Sequence, residues 1–190
     1  SLYTDNPNHG PALYQMNNGT ITPRRPSMGS WFLYGLGTEN QDLPGYITVN
    51  PSPNFGGAAN YGSAFLPAHF QGTRVNDSGT MQNLRPELPA SLQRRQLELI
   101  QSMNRNLAAK PGAPDEIDGV IRSFELAFRM QHHAPEVVDI SQETEATKKL
   151  YGLDNKDTET FGRQCLIARR LVERGVRFVQ IFAGRGSPGD

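Results

Sequence analysis

The sequence has 190 residues, and its 19 Lys and Arg are balanced by 19 Asp and Glu, so its formal net charge is zero. That balance provides no global field to attract nucleic acid or an anionic membrane surface, and the length suits one α/β domain. The single cysteine, Cys165, excludes an intrachain disulfide, and no apolar run approaches the roughly 20 residues of a membrane span.

The first predicted element is a short helix that follows the loop at residues 8–12 and ends at Gly19. Pro11 suits the first helical turn because its missing N–H is not needed there. His9 stands beside the helix N-terminus, where unpaired N–H groups and a partial positive charge favour an anion. Since an imidazole can bind a metal or act as an acid or a base, His9 is the first candidate for chemistry.

Arg24 and Arg25 follow in a proline-containing loop and allow two interpretations. They form either a solvated basic turn or an anion clamp, because guanidinium groups bind phosphate or sulfate through a bidentate fork. Ser27 is predicted to cap a second helix that ends near Leu36, and the β-branched run at 46–50 predicts a strand.

A long irregular loop is predicted at about residues 51–88, because the segment is rich in Gly, Pro, Asn and Ser and has almost no periodicity. A short strand near Thr73 is expected within it. The second half of the chain is predicted to be rich in helices. These are expected at 91–106, with Leu92, Leu99, Ile100, Met103 and Leu107 on one face; at 115–132, stopped by Pro135; from Ser141 to about 152; and from Thr158 to Gly175, with Phe161, Cys165, Ala168 and Val172 on one face.

The clearest predicted strand covers residues 176–182 and leads into a glycine-rich loop that contains Arg185. In α/β sheets, ligands bind beyond the carboxyl ends of strands, so this loop is expected to lie near a site. The loop formally matches G-x-G-x-x-G. A dinucleotide site is not favoured, because Pro188 falls inside the motif and no helix is predicted to follow.

The other titratable side chains are better explained by structure than by chemistry. The histidines at 132–133 end a predicted helix, where they interact with its dipole or its last carbonyls. His69 lies between apolar neighbours, and Cys165 lies on the apolar face of its helix. Glu125 is expected to form an ion pair with an arginine of its own helix.

Several phrases together resemble the bacterial domain-of-unknown-function 1501 family, whose relatives are the sulfatases and alkaline phosphatases. These phrases are PSMGSW at 26–31, YGLGTEN at 34–40, GSAFLP at 62–67, QGT at 71–73, ELAFRMQ at 125–131, LYG at 150–152 and ARRLVERGVRFVQ at 168–180. The resemblance implies an alkaline-phosphatase-like α/β/α sandwich of which residues 1–190 form a single partial domain. It also implies an exported protein, periplasmic or on the cell surface, with further Asp and His metal motifs after this segment.

The resemblance also suggests a site. Sulfatases carry a nucleophile loop of the form Cys-x-Pro-Ser-Arg followed by Thr-Gly, and His9, Pro11 and the pair at 18–19 fall at the equivalent spacing. His9 would then occupy the nucleophile position, as a metal ligand or a catalytic group. The side chains expected to bind a small anionic ester are Asn8, Arg24, Arg25 and Arg185.

Two functions follow from this resemblance. The first is a metal-dependent hydrolase of sulfate or phosphate esters, which would use a divalent metal ion of unspecified type; this segment alone is expected to be inactive. The second is a non-catalytic exported binding or surface protein that retains the sulfatase-like fold. Fold similarity does not distinguish them.

Overall fold

The computed structural model describes residues 3–21, 25–51, 56–76, 88–112 and 116–183. Its helices are α1 at His9–Asn18, α2 at Met28–Leu36, α3 at Ala90–Ala108, α4 at Glu116–Val138, α5 at Glu145–Leu150 and α6 at Glu159–Glu173. Its strands are β1 at Tyr46–Val49, β2 at Thr73–Val75 and β3 at Phe178–Ile181. The fold is mixed α/β with a helix-rich second half, as the sequence predicts.

The three described strands form a parallel sheet in the order β2-β1-β3. Ile47 is in register with Thr73 on one side and with Val179 on the other. Because side chains alternate across a strand, Ile47 and Val49 share one face of the sheet, and Tyr46 and Thr48 share the opposite face. The two faces are covered differently.

The first face is the hydrophobic core. Ile47, Val49 and Val75 are fully buried there against α4 and α6. The residues that complete this core are Leu43, Met130, Ala134, Val137, Ile167, Leu171 and Val176. The second face carries α2, whose Phe32 ring stacks on Phe178 of β3 with 5.1 Å between ring centroids.

The described part of the predicted irregular loop, residues 56–76, contains more structure than expected. It includes 3₁₀ turns at Gly57–Asn60 and Ala68–Phe70, and the predicted strand near Thr73 is confirmed as β2. The end of α1 is also confirmed, because Gly19 forms its C-cap in the left-handed conformation at φ 73°.

Two helix boundaries were predicted wrongly. Pro135 does not stop α4, which continues to Val138 and contains the proline in its last turns. Ala134 and Val137 are buried on either side of it, and Arg170 donates hydrogen bonds to the carbonyls of Glu136 and Val137, so tertiary contacts hold the last turn in place despite the missing N–H. α5 begins after Thr144, not Ser141, because the Thr144 hydroxyl accepts the N–H of Thr147 at 3.1 Å.

The inward faces of two helices also differ from the prediction. On α3, Leu92, Leu99, Met103 and Leu107 are about half exposed or more, and the buried side chains are Leu97 and Gln101. On α6, Phe161 and Val172 are about half exposed, and Leu166, Ile167 and Leu171 are buried. Each helix carries two apolar rows, and periodicity does not tell which row its neighbour covers.

Candidate functional site

A chain of hydrogen bonds crosses the second face of the sheet. The Tyr46 hydroxyl donates to Gln180 Oε1 at 2.6 Å, and Gln180 Nε2 donates to Asn17 Oδ1. Asn17 Nδ2 then donates to the Leu13 carbonyl at 2.8 Å and to Asn60 Oδ1 at 3.4 Å. Gln180 and Asn17 each accept through the amide oxygen and donate through the amide nitrogen, so the bond directions agree along the chain. The amide chain, as we call it, thereby joins β1, β3, α1 and the first 3₁₀ turn.

The Tyr46 ring lies in a narrow space between two glycines. A Cβ added to Gly29 would lie 2.4 Å from the ring, and one added to Gly72 would lie 2.7 Å from it. Burial raises the pKa of the Tyr46 phenol far above its usual range, so the group stays neutral and remains a hydrogen-bond donor. The two glycines therefore permit the first link of the amide chain.

Two buried side chains on this side of the molecule have no hydrogen-bond partner among the described residues. They are the Asn18 carboxamide, next in sequence to Asn17, and the Thr48 hydroxyl, which faces the same way as Tyr46. Buried polar groups without a partner are uncommon in folded proteins. This face therefore carries buried polar side chains in addition to those of the amide chain.

Arg25 lines a cleft of about 440 Å³ together with Tyr14 of α1. The other described residues that line this cleft are Gly56, Ala58, Ala59, Gly62, Ser63, Ala64 and Gln71. The guanidinium is exposed and Tyr14 is half-buried. The cleft has room for an anion beside Arg25, and the anion clamp stays a prediction.

The start of α1 carries the other two predicted residues that the structure describes. Asn8 is the N-cap, and its side-chain oxygen accepts the Gly10 N–H at 3.3 Å. His9 is exposed at the first helical position. His9 and Tyr14 are five residues apart, which places them about 140° apart around the helix axis. His9 is accordingly not among the described residues that line the Arg25 cleft.

Arg24 and Arg185 lie outside the described residues, as does the glycine-rich loop after β3. Their predicted binding of the substrate anion stays a prediction. Only Arg25, of the three predicted arginines, can be placed in relation to a cavity.

A divalent metal needs several ligands from His, Cys, Asp or Glu side chains. Within the ranges that the structure describes, no three such residues gather in positions that could hold a metal ion. These residues do not by themselves fit the metal that the sulfatase resemblance implies. His9 therefore stays a predicted ligand.

Three other titratable side chains, His69, Cys165 and Glu125, agree with structural roles, and those of the histidines at 132–133 lie outside the described part of the structure. Burial, and the positive charge of Arg122, lower the pKa of His69, whose ring contacts Phe70 at 4.0 Å between centroids. Burial raises the pKa of the Cys165 thiol, which disfavours the reactive thiolate. Glu125 lies 3.9 Å from Arg94 of α3. The sequence predicted an arginine partner on its own helix, α4, and that prediction is wrong, because the partner is on α3.

The family model described as "Protein of unknown function (DUF1501)" matches residues 1–185 of the chain. The chain belongs to this family. Neither the curated proteins nor the solved structures give a match. The family match confirms the resemblance that the sequence phrases indicate.

In this DUF1501 chain, no helix of the described segments is long and apolar enough to cross a membrane. The residues that sequence reasoning missed are those of the amide chain. Two signals pointed to them: the paired asparagines immediately before Gly19, and the single Gln180 within an otherwise apolar strand. Neither signal indicates its partner, because Asn17 and Gln180 are 163 residues apart.

Proposed function

We propose that this DUF1501 chain belongs to a metal-dependent hydrolase of sulfate or phosphate esters, and that its Arg25 cleft holds the anionic group. The observation that carries the proposal is the position of Arg25 beside a cleft of about 440 Å³, which Tyr14 of α1 also lines. A guanidinium recognises sulfate or phosphate through two parallel hydrogen bonds. The parallel α/β sheet is compatible with the alkaline-phosphatase-like sandwich that the sequence resemblance implies.

On the sulfatase spacing alone, His9 is proposed as an acid–base group, a nucleophile or a metal ligand. It is not among the described residues that line the Arg25 cleft. Asn8, Arg24 and Arg185 would assist the binding of the anion. The divalent metal of this proposal would need ligands from residues beyond the described ranges. Of the described residues, Asn8 and Arg25 are proposed to bind the anion, and His9 is proposed for the chemistry.

The test compares variants of the full-length protein on panels of aryl sulfates and aryl phosphates with added divalent metals. Arg25→Gln should raise KM about 10- to 100-fold, because a charged hydrogen-bonding partner of the anion is lost. His9→Ala should lower kcat by about 100-fold or more if the imidazole transfers protons. Equal activity of His9→Ala and wild type would remove His9 from the proposal, and an unchanged KM in Arg25→Gln would remove the cleft.

The composition of the cleft favours a second candidate, a non-catalytic exported binding protein. Its described lining offers a guanidinium, a phenol, a hydroxyl and an amide, from Arg25, Tyr14, Ser63 and Gln71. These groups suit hydrogen bonding to an anionic ligand. Binding of an anionic ligand that depends on Arg25, without turnover of any ester at any metal concentration, would select this function.

Both candidates are proposed to act outside the cytoplasm, in the periplasm or on the cell surface, with a small sulfated or phosphorylated compound as ligand. Fractionation of cells that express the native gene tests the location. Recovery of the protein in the cytoplasmic fraction alone would contradict it.

A further inference from the structure

We propose that a second cavity, lined by α2, the second 3₁₀ turn and α4, binds a small monocarboxylate with an apolar body, and that the carboxylate contacts Arg122 and His69. The cavity has a volume of about 560 Å³. None of the described residues that line it also lines the Arg25 cleft. The inference therefore adds a ligand site and does not rest on the proposed function.

The second cavity lies at the amino ends of the strands. Gly45, which lines it, directly precedes β1, and its carbonyl accepts the Phe178 N–H at the start of β3 at 3.0 Å. Because β1 and β3 are parallel, Gly45 marks the amino end of both. Ligands of parallel α/β sheets usually bind beyond the carboxyl ends. The cavity is therefore separate from the edge of the sheet at which this fold favours a site.

Arg122 brings to this cavity a guanidinium that forms no ion pair with a described carboxylate. Its acidic neighbour one turn along α4, Glu125, lies 3.9 Å from Arg94 of α3. The second arginine of the lining, Arg129, is engaged, since its Nε donates to a backbone carbonyl at 2.7 Å. Two arginines against one glutamate leave the described lining with one net positive charge. One negative charge on a ligand would balance it.

The His69 ring lines the same cavity and has unused capacity for hydrogen bonds. Burial and the charge of Arg122 lower its pKa, so the imidazole is neutral near pH 7. Its Nδ1 is buried without a partner among the described residues and faces α4, because a Cβ added to Gly119 would lie 3.7 Å from it. An N–H buried there would lack an acceptor, so the proton of the neutral ring is assigned to Nε2. The Nε2–H is then available to an acceptor on a ligand.

A carboxylate matches these two groups. Its two oxygens fit the fork of the Arg122 guanidinium, and one of them can also accept the N–H of His69. A phosphate monoester carries up to two negative charges and three acceptor oxygens. One unpaired guanidinium and one imidazole N–H do not satisfy that larger demand. The charge and the donors of the cavity therefore favour a monocarboxylate.

The same cavity has an extensive apolar lining, which provides for the body of the ligand. Its apolar side chains are Leu33, Tyr34, Leu43, Phe70, Ile121 and Leu126. Leu33 and Leu43 are buried, and the rings of Tyr34 and Phe70 meet edge to face with 5.4 Å between their centroids. Small-molecule sites have this composition, mostly apolar with a few placed polar groups. An aliphatic or an aromatic acid would gain affinity from the apolar surface that it buries here.

The test is calorimetric titration of the full-length protein with acetate, benzoate and octanoate. Benzoate or octanoate should bind in a 1:1 ratio and at least about 10-fold more tightly than acetate, because its body adds apolar burial to the same carboxylate contact. The tighter of the two tells whether the body is aromatic or aliphatic. The uncharged analogues benzamide and octanol should bind at least about 10-fold more weakly than the matching acids.

Three variants locate the site. Arg122→Gln should weaken the binding of the tighter acid about 10-fold or more, because it removes the charged partner of the carboxylate. His69→Phe keeps a ring against Phe70 but lacks the N–H, and it should weaken binding about 3- to 10-fold. Arg95→Gln is the control, since this exposed arginine of α3 does not line the cavity, and it should bind as wild type does. Arg122 is itself exposed, so its replacement should leave the fold intact.

Several results would overturn the carboxylate site. They are the absence of binding by any of the acids, equal binding by Arg122→Gln and Arg95→Gln, octanol that binds as tightly as octanoate, and acetate that binds as tightly as both larger acids. Binding that is lost in Arg25→Gln and kept in Arg122→Gln would place the acid in the Arg25 cleft. That result would also overturn this inference, and it would leave the proposed function standing.

Discussion

The two faces of the same small sheet are built on different principles. Ile47 and Val49 point into an apolar core, whereas Tyr46 and Thr48, alternating with them along β1, point into a polar layer. The first face gains stability from buried area, which is non-directional. The second face depends on a directed chain of hydrogen bonds from Tyr46 to Asn60. One strand thus contributes both the stability of the fold and the placement of α1.

The coverings of the two faces differ in the same way. Long helices with large apolar side chains, α4 and α6, cover the first face. The second face is covered by α1 and α2, where Phe32 stacks on Phe178 and small or polar residues such as Gly29, Gly72 and Ser30 permit close backbone approach. The cleft with Arg25 lies beside this second layer. We therefore expect the apolar face to govern stability and the polar face to govern ligand binding.

The largest effect is expected on the apolar face. Leu171→Ala removes a fully buried side chain from α6 and should lower the free energy of unfolding by about 2–5 kcal/mol. Leu99→Ala is the matched control, because this helical leucine is 63% exposed and its loss should change stability by less than about 0.5 kcal/mol. Urea unfolding measures both. Equal losses in the two variants would contradict the assignment of the core.

The next effect comes from the close contact on the polar face. Gly29→Ala places a Cβ against the Tyr46 ring and should destabilise the protein by up to about 3 kcal/mol through overpacking. Gly35→Ala, in the same helix, meets nothing within 4 Å. It should stabilise α2 by about 0.5–1 kcal/mol, because alanine is the better helix former. Thermal unfolding should show that Gly29→Ala lowers stability and Gly35→Ala raises it. Stability changes of the same sign would refute the close packing at Tyr46.

A smaller effect is expected from cutting the amide chain. Gln180→Leu leaves the Tyr46 hydroxyl and Asn17 Oδ1 without their partner and should cost about 1–2 kcal/mol. In the double variant with Tyr46→Phe, the loss should be less than the sum of the two single losses, because one unsatisfied donor is also removed. Unfolding of the four proteins in urea completes the cycle. Simple additivity would show that the two side chains do not interact.

The sequence predicted the parts of the fold that depend on local rules. Gly19 ends α1, and the β-branched runs at Tyr46 and Thr73 form strands, because turn chemistry and alternation act over a few residues. Pro135 inside α4 was not predictable in this way. Its tolerance depends on the burial of Ala134 and on the contact of Arg170 with the end of α4, both of which are tertiary.

The candidate site was predicted only in part, for the same reason. Arg25 could be proposed from its chemistry, but its cleft is formed with Tyr14 and with Ala64. Tyr14 belongs to no motif, and Ala64 is distant in sequence and has no functional group. Asn17 and Gln180 belong to no recognisable sequence motif. Their meeting depends on the sheet order and on the docking of α1, which local patterns do not encode.

The smallest expected effect lies at the edge of the apolar face, where Glu143 accepts hydrogen bonds from Arg170 at 2.6 Å and from Arg169 at 2.8 Å. These hydrogen bonds lower the pKa of Glu143 below its ordinary value of 4.5, and the bond from Arg170 has the larger effect. Because the pKa is lower in the folded state, the stabilisation is complete above about pH 4.5 and is lost as the pH falls through the folded value.

Glu143→Gln should therefore be less stable than wild type at pH 7. The difference in stability should shrink as the pH falls below the pKa of a free glutamate carboxyl group. Glu145→Gln is the control, since Glu145 is 90% exposed beside Lys148 and should leave the pH profile of stability unchanged. Thermal unfolding between pH 3 and 7 tests both variants. A constant difference across this range would show that the Glu143 charge does not hold α6 to the end of α4.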